Sequence, residues 1–502
     1  MEKFMRSGGA SLWGGAFRLK LASMLLVWGM VLILAVPAHA AEETAVSGTD
    51  PKTAHAPVAT EAEAVDKPNR KTFDALSKES ATCVSCHIQD NRGLYQQWGN
   101  SKHYGANVGC YECHKAEQGD PDAFMHKKFL ISVLVTPKDC GRCHKRETKE
   151  FEHSVHSKAG DIETSGSYQM AKTTQGMPDD SMVAAGLHGC LQCHGSRVTV
   201  KSSGKLDATT WPNSGIGRIN PDGSRGTCTS CHQRHEFSRE QARRPEACGK
   251  CHRGPAHPQK EIYDESKHGI NFYANVGRMN LQSPKWVPGE DFDTGPTCAT
   301  CHMSATVESP LTHDVSHRVS WNLKAPVSYK AGEGPDKNGA SWKENRKRME
   351  EVCTSCHTGS IVQNFYQQFD NVVTLYNNKF AKPAQELMDA LKHAGLRSPA
   401  IYDDPIEWTW FEIWHQAGRR VRQGASMQAP DFVQWQGFHE IGRLFYTQFL
   451  PQAEEMIAKA RKDGKAVQAD EVAKVMQGIL SRPEHAWYHS GKKPNQADKV
   501  AP

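Results

Sequence analysis

One short cysteine-histidine unit recurs eight times in this sequence. All 16 cysteines of the 502-residue chain fall in Cys-x-x-Cys-His units, so none is left for a disulfide or a free thiol. A Cys-x-x-Cys pair can also hold zinc or take part in thiol exchange. An adjoining histidine in every copy is instead the signature of covalent c-type haem attachment. The sequence therefore predicts eight covalently bound c-type haems.

Each unit supplies the groups that hold one haem. The two thiols form thioethers with the porphyrin, and the adjacent histidine becomes the proximal ligand of the iron. The attaching cysteines are Cys83, Cys86, Cys110, Cys113, Cys140, Cys143, Cys190, Cys193, Cys228, Cys231, Cys248, Cys251, Cys298, Cys301, Cys353 and Cys356. The proximal ligands are His87, His114, His144, His194, His232, His252, His302 and His357.

The spare histidines decide whether any iron can bind a substrate. An iron with two histidine ligands only passes electrons, whereas an iron with an open position can bind a small molecule. Ten spare histidines lie between residues 71 and 358, enough to fill every iron: His103, His126, His153, His156, His188, His235, His257, His268, His313 and His317. Counting alone therefore leaves an open iron undecided. His257, five residues after the motif histidine His252, is by itself a surface residue, a haem ligand or a substrate-handling group.

Composition divides the chain into five segments. Residues 1–40 have a basic start, the apolar run LASMLLVWGMVLILAV and the small residues AHA at 38–40, which is typical of a cleaved signal peptide; an uncleaved anchor is the alternative. Export predicts a periplasmic protein. We expect a flexible leader at 41–70, an octahaem domain at 71–358, a helical domain at 359–490 and a loose tail at 491–502.

The fold class expected is mainly α, with the haems themselves as the core of residues 71–358. Two stretches after the last cysteine, 360–395 and 439–464, repeat apolar residues at intervals of three and four, which predicts long amphipathic helices. The net charge is +5, and removing the four basic and one acidic residues of the first forty leaves about +2. Such a balance argues against a nucleic-acid partner.

Three stretches of the sequence together resemble a known family. They are CTSCHQRHEFSREQARRPEACGKCHRGPAHPQKEIYDESKHG (228–269), PTCATCHMSATVESPLTHDVSHRVSW (296–321) and VCTSCHTGS (352–360). In that order they are similar to the octahaem hydroxylamine oxidoreductases (HAO). The resemblance spans roughly 80–460 and is specific between 228 and 321. It implies a helical haem domain, a helical C-terminal domain, a homotrimer, seven haems with two histidine ligands, and an open catalytic haem at the fourth motif, with His194 as proximal ligand.

The resemblance also implies roles for individual histidines. The distal ligands that carry over by position are His103, His126, His156, His235, His268 and His313, and the candidates for a seventh are His153, His188 and His317. His257 matches the histidine of an Asp-His pair above the catalytic haem. An imidazole there can exchange protons and hydrogen-bond an anion such as nitrite. We therefore take His257 and His194 as the catalytic residues.

The sequence departs from the family at several positions. Ala256 replaces the aspartate of the pair, which removes a proton acceptor. Oxidative members cross-link the catalytic haem to a tyrosine of a neighbouring subunit, but 434–436 read Gln-Trp-Gln, and we interpret Tyr446 as a packing residue. Lys324 or Tyr329 stands near the place of a distal tyrosine; Lys324 is either suited to an anion or a surface lysine. The segment 195–227 is a loop near the active site or a surface insertion.

These departures favour reduction over oxidation. The function expected is six-electron reduction of nitrite to ammonium, with hydroxylamine and nitric oxide as further substrates. Electrons would come from a redox partner, either a cytochrome or a quinol-linked membrane protein. Hydroxylamine or hydrazine oxidation is the first alternative, and an electron conduit without chemistry of its own is the second.

Overall fold

Helices dominate the structure, which confirms the predicted mainly-α class. The computed structural model describes residues 76–165, 168–169, 189–334 and 340–490, all within the unit Asp66–Pro502. It is 56% helical with little strand. The signal segment 1–40, the leader 41–70, the tail 491–502 and His188 lie outside the described residues.

The haem-motif region consists of short helices joined by turns. Three of these helices coincide with attachment motifs, because the motif itself supplies a single helical turn: Cys110–His114, Gly189–His194 and Cys298–Met303. The other α-helices before residue 359 are Lys78–Asp90, Arg92–Gly99, Lys102–Gly105, Pro137–Cys140, Lys145–His153, Arg239–Arg243, Pro245–Gly249, Gln259–Glu265, Lys267–Asn275 and Trp342–Thr354. Short 3-10 turns occur at Ala159–Thr164, Cys228–Ser230 and Val276–Arg278.

The described residues contain two small hairpins, besides a few isolated β-bridges. The strand Phe124–His126 pairs antiparallel with Phe129–Ile131, and Lys127 turns the chain between them with a φ of 57°. The strand Trp321–Asn322 pairs with Tyr329–Lys330 in the same sense. His126 ends the first strand of the first hairpin, and the hairpin brings its side chain close to His87 of the first motif.

The residues after 358 form long helices, as the periodicity predicts. The α-helical parts are Gly359–Tyr376, Lys382–His393, Pro405–Phe411, Gly418–Met427, Pro430–Val433, Glu440–Leu444, Leu450–Lys462, Ala466–Leu480 and Trp487–Ser490. Wider π-helical turns at Asn377–Ala381, Glu412–Ala417, Gln434–His439 and Phe445–Phe449 join several of them end to end. Among the described residues, no helix combines the length and the apolar character that crossing a bilayer requires.

Two of the π-helical turns end two residues before a proline. Pro383 and Pro451 are each the second residue of the α-helix that follows such a turn. A proline lacks the N–H for its helical bond, and its ring collides with the carbonyl four residues earlier. A turn with i→i+5 bonding displaces that carbonyl. The wider turns therefore let both helices continue through residues that normally break them.

Hydrophobic packing is concentrated in the C-terminal helices. One large buried cluster extends from Tyr376 to Leu480 and includes Leu387, Phe445 and Phe449, all fully buried. The described residues of the motif region form only small groups, such as Val84 with Trp98 and Tyr104. The interior of the motif region therefore depends on something other than packed side chains, as expected if porphyrins are its core.

We expect Leu387→Ala to lower the free energy of unfolding of the haem-loaded protein by roughly 2–5 kcal/mol, because it leaves a cavity in the C-terminal cluster. Urea unfolding followed by far-UV circular dichroism measures the change. Leu375→Ala is the matched control, since Leu375 lies in the preceding helical segment and is 47% exposed. Equal effects of the two substitutions would show that the cluster is not the stabilising core.

Candidate functional site

Seven of the eight motif histidines have the ring of a second histidine at a nearly constant separation. The distances between ring centres run from 6.1 to 6.5 Å. The pairs are His87 with His126, His144 with His103, His114 with His235, His252 with His156, His232 with His313, His357 with His268 and His194 with His257. Six of the partners are the distal histidines that the family resemblance implies.

This separation fits an iron between the two rings. A metal–imidazole bond is about 2.0 Å long and the ring centre lies about 1.1 Å beyond the nitrogen, so two axial imidazoles on one iron have centres roughly 6.2 Å apart. The cysteines of each motif adjoin one member of the pair in sequence. The residues present therefore fit haems held by two thioethers and two histidines. The pair His194 and His257, at 6.4 Å, falls within the same range.

The seventh motif differs from the others. The Nδ1 atom of His302 lies 3.2 Å from the carbonyl oxygen of Val315. Within the described part of the chain, neither His153 nor His317 forms a ring pair with His302 like those of the other motifs. His153 instead bonds the Lys149 carbonyl oxygen through Nδ1, at 2.7 Å. The third candidate, His188, lies outside the described residues.

Backbone carbonyl groups orient several motif histidines. The Nδ1 atom of His114 lies 2.8 Å from the carbonyl oxygen of Ser132, and that of His194 lies 3.3 Å from the carbonyl oxygen of Ala159. A carbonyl oxygen only accepts, so Nδ1 carries the proton in each case. The lone pair of Nε2 is then free to bind a metal.

Cysteines of different motifs touch one another. Contacts between side chains join Cys140 to Cys228, Cys193 to Cys251 and Cys248 to Cys298. Cysteines of the first and second, second and third, fifth and sixth, and seventh and eighth motifs also lie within electrostatic reach of each other. The first, second, third, fifth, sixth, seventh and eighth motifs therefore form one series of neighbours. The fourth motif branches from this series at the sixth. Such a series suits the transfer of several electrons to one place.

The segment 195–227 packs against the fourth motif. The backbone N–H of Gly217 donates to the carbonyl oxygen of His194, and that of Ile216 donates to Cys193, both at 2.9 Å. The buried Arg218 holds the segment together by donating to the Asn213 carbonyl and to the Asn220 side chain. Of the two interpretations of this segment, the loop beside the fourth motif is the one that the structure supports.

The C-terminal helices supply side chains that contact His257. Arg419 places Nη1 3.2 Å from Nδ1 of His257 and 3.3 Å from the carbonyl oxygen of Ala256. Its Nη2 donates to the carbonyl oxygen of Lys324 at 3.1 Å. The Arg419 side chain is buried, and burial lowers its pKa to about 10, so it stays charged near neutral pH. The guanidinium of Arg419 is therefore a fixed positive charge in contact with His257.

A further histidine lies on the same helical stretch. His415 belongs to the π-helical turn Glu412–Ala417, and its ring centre is 6.0 Å from that of His257. It stacks on Phe411 at 4.3 Å, and its buried Nδ1 has no hydrogen-bond partner among the described residues. Sequence reasoning missed both His415 and Arg419. Their spacing of four residues in EIWHQAGRR predicts only a shared helix face, and the fold alone brings that face to His257.

Burial keeps the imidazoles of this site neutral. Burial first, and then the charge of Arg419, lowers the pKa of His257 to about 3 and that of His415 to about 2. Burial also lowers the pKa of His194. The positive charge of the site therefore comes from Arg419 and from Lys324, whose charge also lowers the pKa of His194.

Tyr329 accepts a hydrogen bond from the amide of Asn322 at 2.6 Å.

The region expected to carry a cross-linking tyrosine carries none in the structure either. Gln434 and Gln436 flank Trp435, which is 61% exposed, in a π-helical turn. Tyr446 is buried in the C-terminal cluster, and its hydroxyl lies 2.8 Å from Nδ1 of His485. Tyr446 is thus a packing residue.

Family models match two parts of the chain. The model described as seven times multi-haem cytochrome CxxCH matches residues 222–401, and the model described as cytochrome c554 and c-prime matches 39–115 and 139–218. The chain therefore contains multihaem cytochrome domains, and it resembles HAO-like proteins. One solved structure with a similar fold is that of a hypothetical multiheme protein. It is 25% identical in sequence, with a TM-score of 0.66, and the match covers 80% of this chain and 99% of the other.

Two further relatives of the cytochrome come from Kuenenia stuttgartiensis. A probable nitrite reductase-hydroxylamine oxidoreductase fusion protein is 25% identical over 346 residues, which cover 57% of this chain and 35% of that protein. The cytochrome thus spans about a third of the length of this curated relative. A reducing HAO-like protein complex shares the fold, with 20% identity, a TM-score of 0.59, and coverage of 80% of this chain and 89% of that one.

We expect His268→Ala to convert one low-spin haem of the holoprotein into a high-spin haem, because the iron bound to His357 would lose its second imidazole. Electron paramagnetic resonance measures the change, and haem content per chain should stay constant. His393→Ala is the control, since His393 is an exposed residue of the C-terminal helices. A His268→Ala spectrum identical to the parent's would remove His268 from the ligand set.

Proposed function

We propose that this cytochrome reduces nitrite to ammonium at a haem held by Cys190, Cys193 and His194. The overall reaction takes one nitrite, six electrons and eight protons to one ammonium ion and two water molecules. A c-type haem with an open face supplies an iron that binds small nitrogen compounds and passes electrons to them. The other motifs, connected to the fourth through the sixth, provide the electron reservoir.

The observation that carries the proposal is the positive charge around His257. Arg419 contacts this histidine, and the charge of the exposed Lys324 acts on the neighbouring His194. The neighbouring position 256 holds an alanine, whose carbonyl oxygen accepts a hydrogen bond from Arg419. A fixed cation in a buried place stabilises an anion more strongly than it does in water. Nitrite is an anion, whereas hydroxylamine is neutral near pH 7. The site therefore favours nitrite as the substrate that binds.

His257 is the chain's own candidate for handling protons at this site. Its neutral ring lies opposite His194 and can hydrogen-bond an oxygen or nitrogen of the bound molecule. His415 stands behind it as a second neutral imidazole. Reduction consumes protons that come from the solvent, and a neutral imidazole that donates one hydrogen bond and accepts another can orient the bound molecule while they arrive. Oxidation of hydroxylamine releases protons, and no carboxylate occupies position 256 to accept them.

The relative's name is consistent with this proposal. It joins nitrite reductase and hydroxylamine oxidoreductase in one protein, which this chain matches at 25% identity over part of its length. Hydroxylamine oxidation, the second half of that name, is the second candidate. We also propose that the mature protein is periplasmic, forms a homotrimer and receives electrons from a cytochrome or a quinol-linked membrane protein.

The first test feeds electrons from reduced methyl viologen to the purified holoprotein with ¹⁵N-nitrite. We expect nearly all of the label to appear as ammonium. A His257→Gln variant should lose most of this activity with its haem content unchanged, while His393→Ala should match the parent. If no nitrite is consumed, the reductive function is wrong, and hydroxylamine oxidation with an artificial acceptor becomes the assay.

A second test separates charge from chemistry. We expect Lys324→Gln to raise KM for nitrite about fivefold, corresponding to roughly 1 kcal/mol for one partly screened charge, with little change in KM for hydroxylamine. Steady-state kinetics with both substrates measures the difference. Lys201→Gln, at an exposed position in an ion pair with Asp207, is the control. An equal rise of both KM values would mean that Lys324 does not discriminate by charge.

A further inference from the structure

We infer that Arg419 is the positioning residue that keeps the iron of the fourth motif open, because it fixes His257 in the tautomer that cannot bind iron. The inference deepens the proposed function, and it rests on that function only in placing a haem at His194. It assigns a role to a residue more than a hundred and fifty positions away in sequence from the histidine it controls.

Spacing alone would make His257 an ordinary ligand. Its ring centre is 6.4 Å from that of His194, while the other motif pairs lie 6.1 to 6.5 Å apart. If only the distance mattered, His257 would fill the iron, and the fourth haem would merely pass electrons like the rest. Something other than distance must therefore distinguish this pair.

The partner of Nδ1 distinguishes His257 from three of the motif histidines. His114, His194 and His302 each face a carbonyl oxygen, so their Nδ1 carries the proton and their Nε2 has a free lone pair. His257 instead faces the guanidinium of Arg419. A guanidinium has five donors and no acceptor, so Nδ1 of His257 must accept.

An accepting Nδ1 determines the other nitrogen. A neutral imidazole has one proton, and with Nδ1 unprotonated that proton is on Nε2. A protonated Nε2 has no lone pair to give to iron. It is a hydrogen-bond donor instead, directed away from Arg419 and suited to an acceptor atom of a bound anion. The same imidazole is thereby changed from a haem ligand into a group that binds substrate.

Arg419 is held rigidly enough to impose this choice. Its guanidinium also donates to the carbonyl oxygens of Ala256 and Lys324 and lies 5.5 Å from the ring centre of Trp414. The side chain is buried, with 7% of its surface exposed. Turning away from His257 would leave a buried cation with fewer acceptors, which is costly.

The test is the spin state of the fourth haem in the complete holoprotein. The parent should show one high-spin ferric haem that binds cyanide. In Arg419→Leu, Nδ1 of His257 is free to take the proton and Nε2 to bind iron, so we expect the high-spin signal to disappear and cyanide binding to slow at least tenfold. Arg420→Leu, the next residue of the same helix, should leave both unchanged.

Two further variants separate the role from a general loss of structure. Arg419→Leu combined with His257→Leu should restore the high-spin signal, because no imidazole remains to fill the iron. Arg419→Lys keeps a cationic donor and should stay high-spin. His257→Leu alone should look like the parent, and it tests the inference even if Arg419→Leu does not fold.

The outcomes are distinct. A high-spin signal that persists in Arg419→Leu overturns the inference, and so does a parent that is entirely low-spin but gains a high-spin haem in His257→Leu. A parent with one high-spin haem that makes no ammonium from nitrite contradicts the proposed function while leaving the role of Arg419 intact.

Discussion

The fixed distance between paired imidazoles is the constraint on which the motif region depends. Each pair joins a motif histidine to a second histidine elsewhere in the chain, as His114 is joined to His235 and His357 to His268. An iron bound to both would act as a cross-link that closes a long loop, and such closures reduce the entropy of the unfolded chain. Short helices and turns suffice around such links, because the side chains there do not need to build a large core of their own.

The C-terminal helices are stabilised in a different way, by packed apolar side chains. They contain no cysteine, and they form the large apolar cluster around Leu387, Phe445 and Phe449. Two of their wider turns carry prolines through continuous helices, and another of these turns places His415 beside His257. A stable helical scaffold thereby delivers side chains to a site whose proximal ligand belongs to the motif region.

At that site, the histidines are neutral while an arginine keeps its charge. The imidazoles of His257 and His415 lose their charge, since both burial and the nearby guanidinium disfavour a second cation. Arg419 keeps its charge because two carbonyl oxygens and a ring nitrogen accept its hydrogen bonds. The result is a positive site lined by neutral imidazoles that can form hydrogen bonds, which is a combination suited to binding an anion.

The sequence by itself determined the attachment chemistry and the class of fold. Cysteine and histidine in a five-residue unit are local, so all the motifs and their proximal ligands can be read without a structure, and apolar periodicity likewise predicts the helices after residue 358. The family resemblance added six distal histidines that the structure places opposite motif histidines. Tertiary structure decided what is non-local: the position of the segment 195–227, the contact of Arg419 with Nδ1 of His257, and the approach of His415. These depend on packing between distant segments, which no spacing in the sequence encodes.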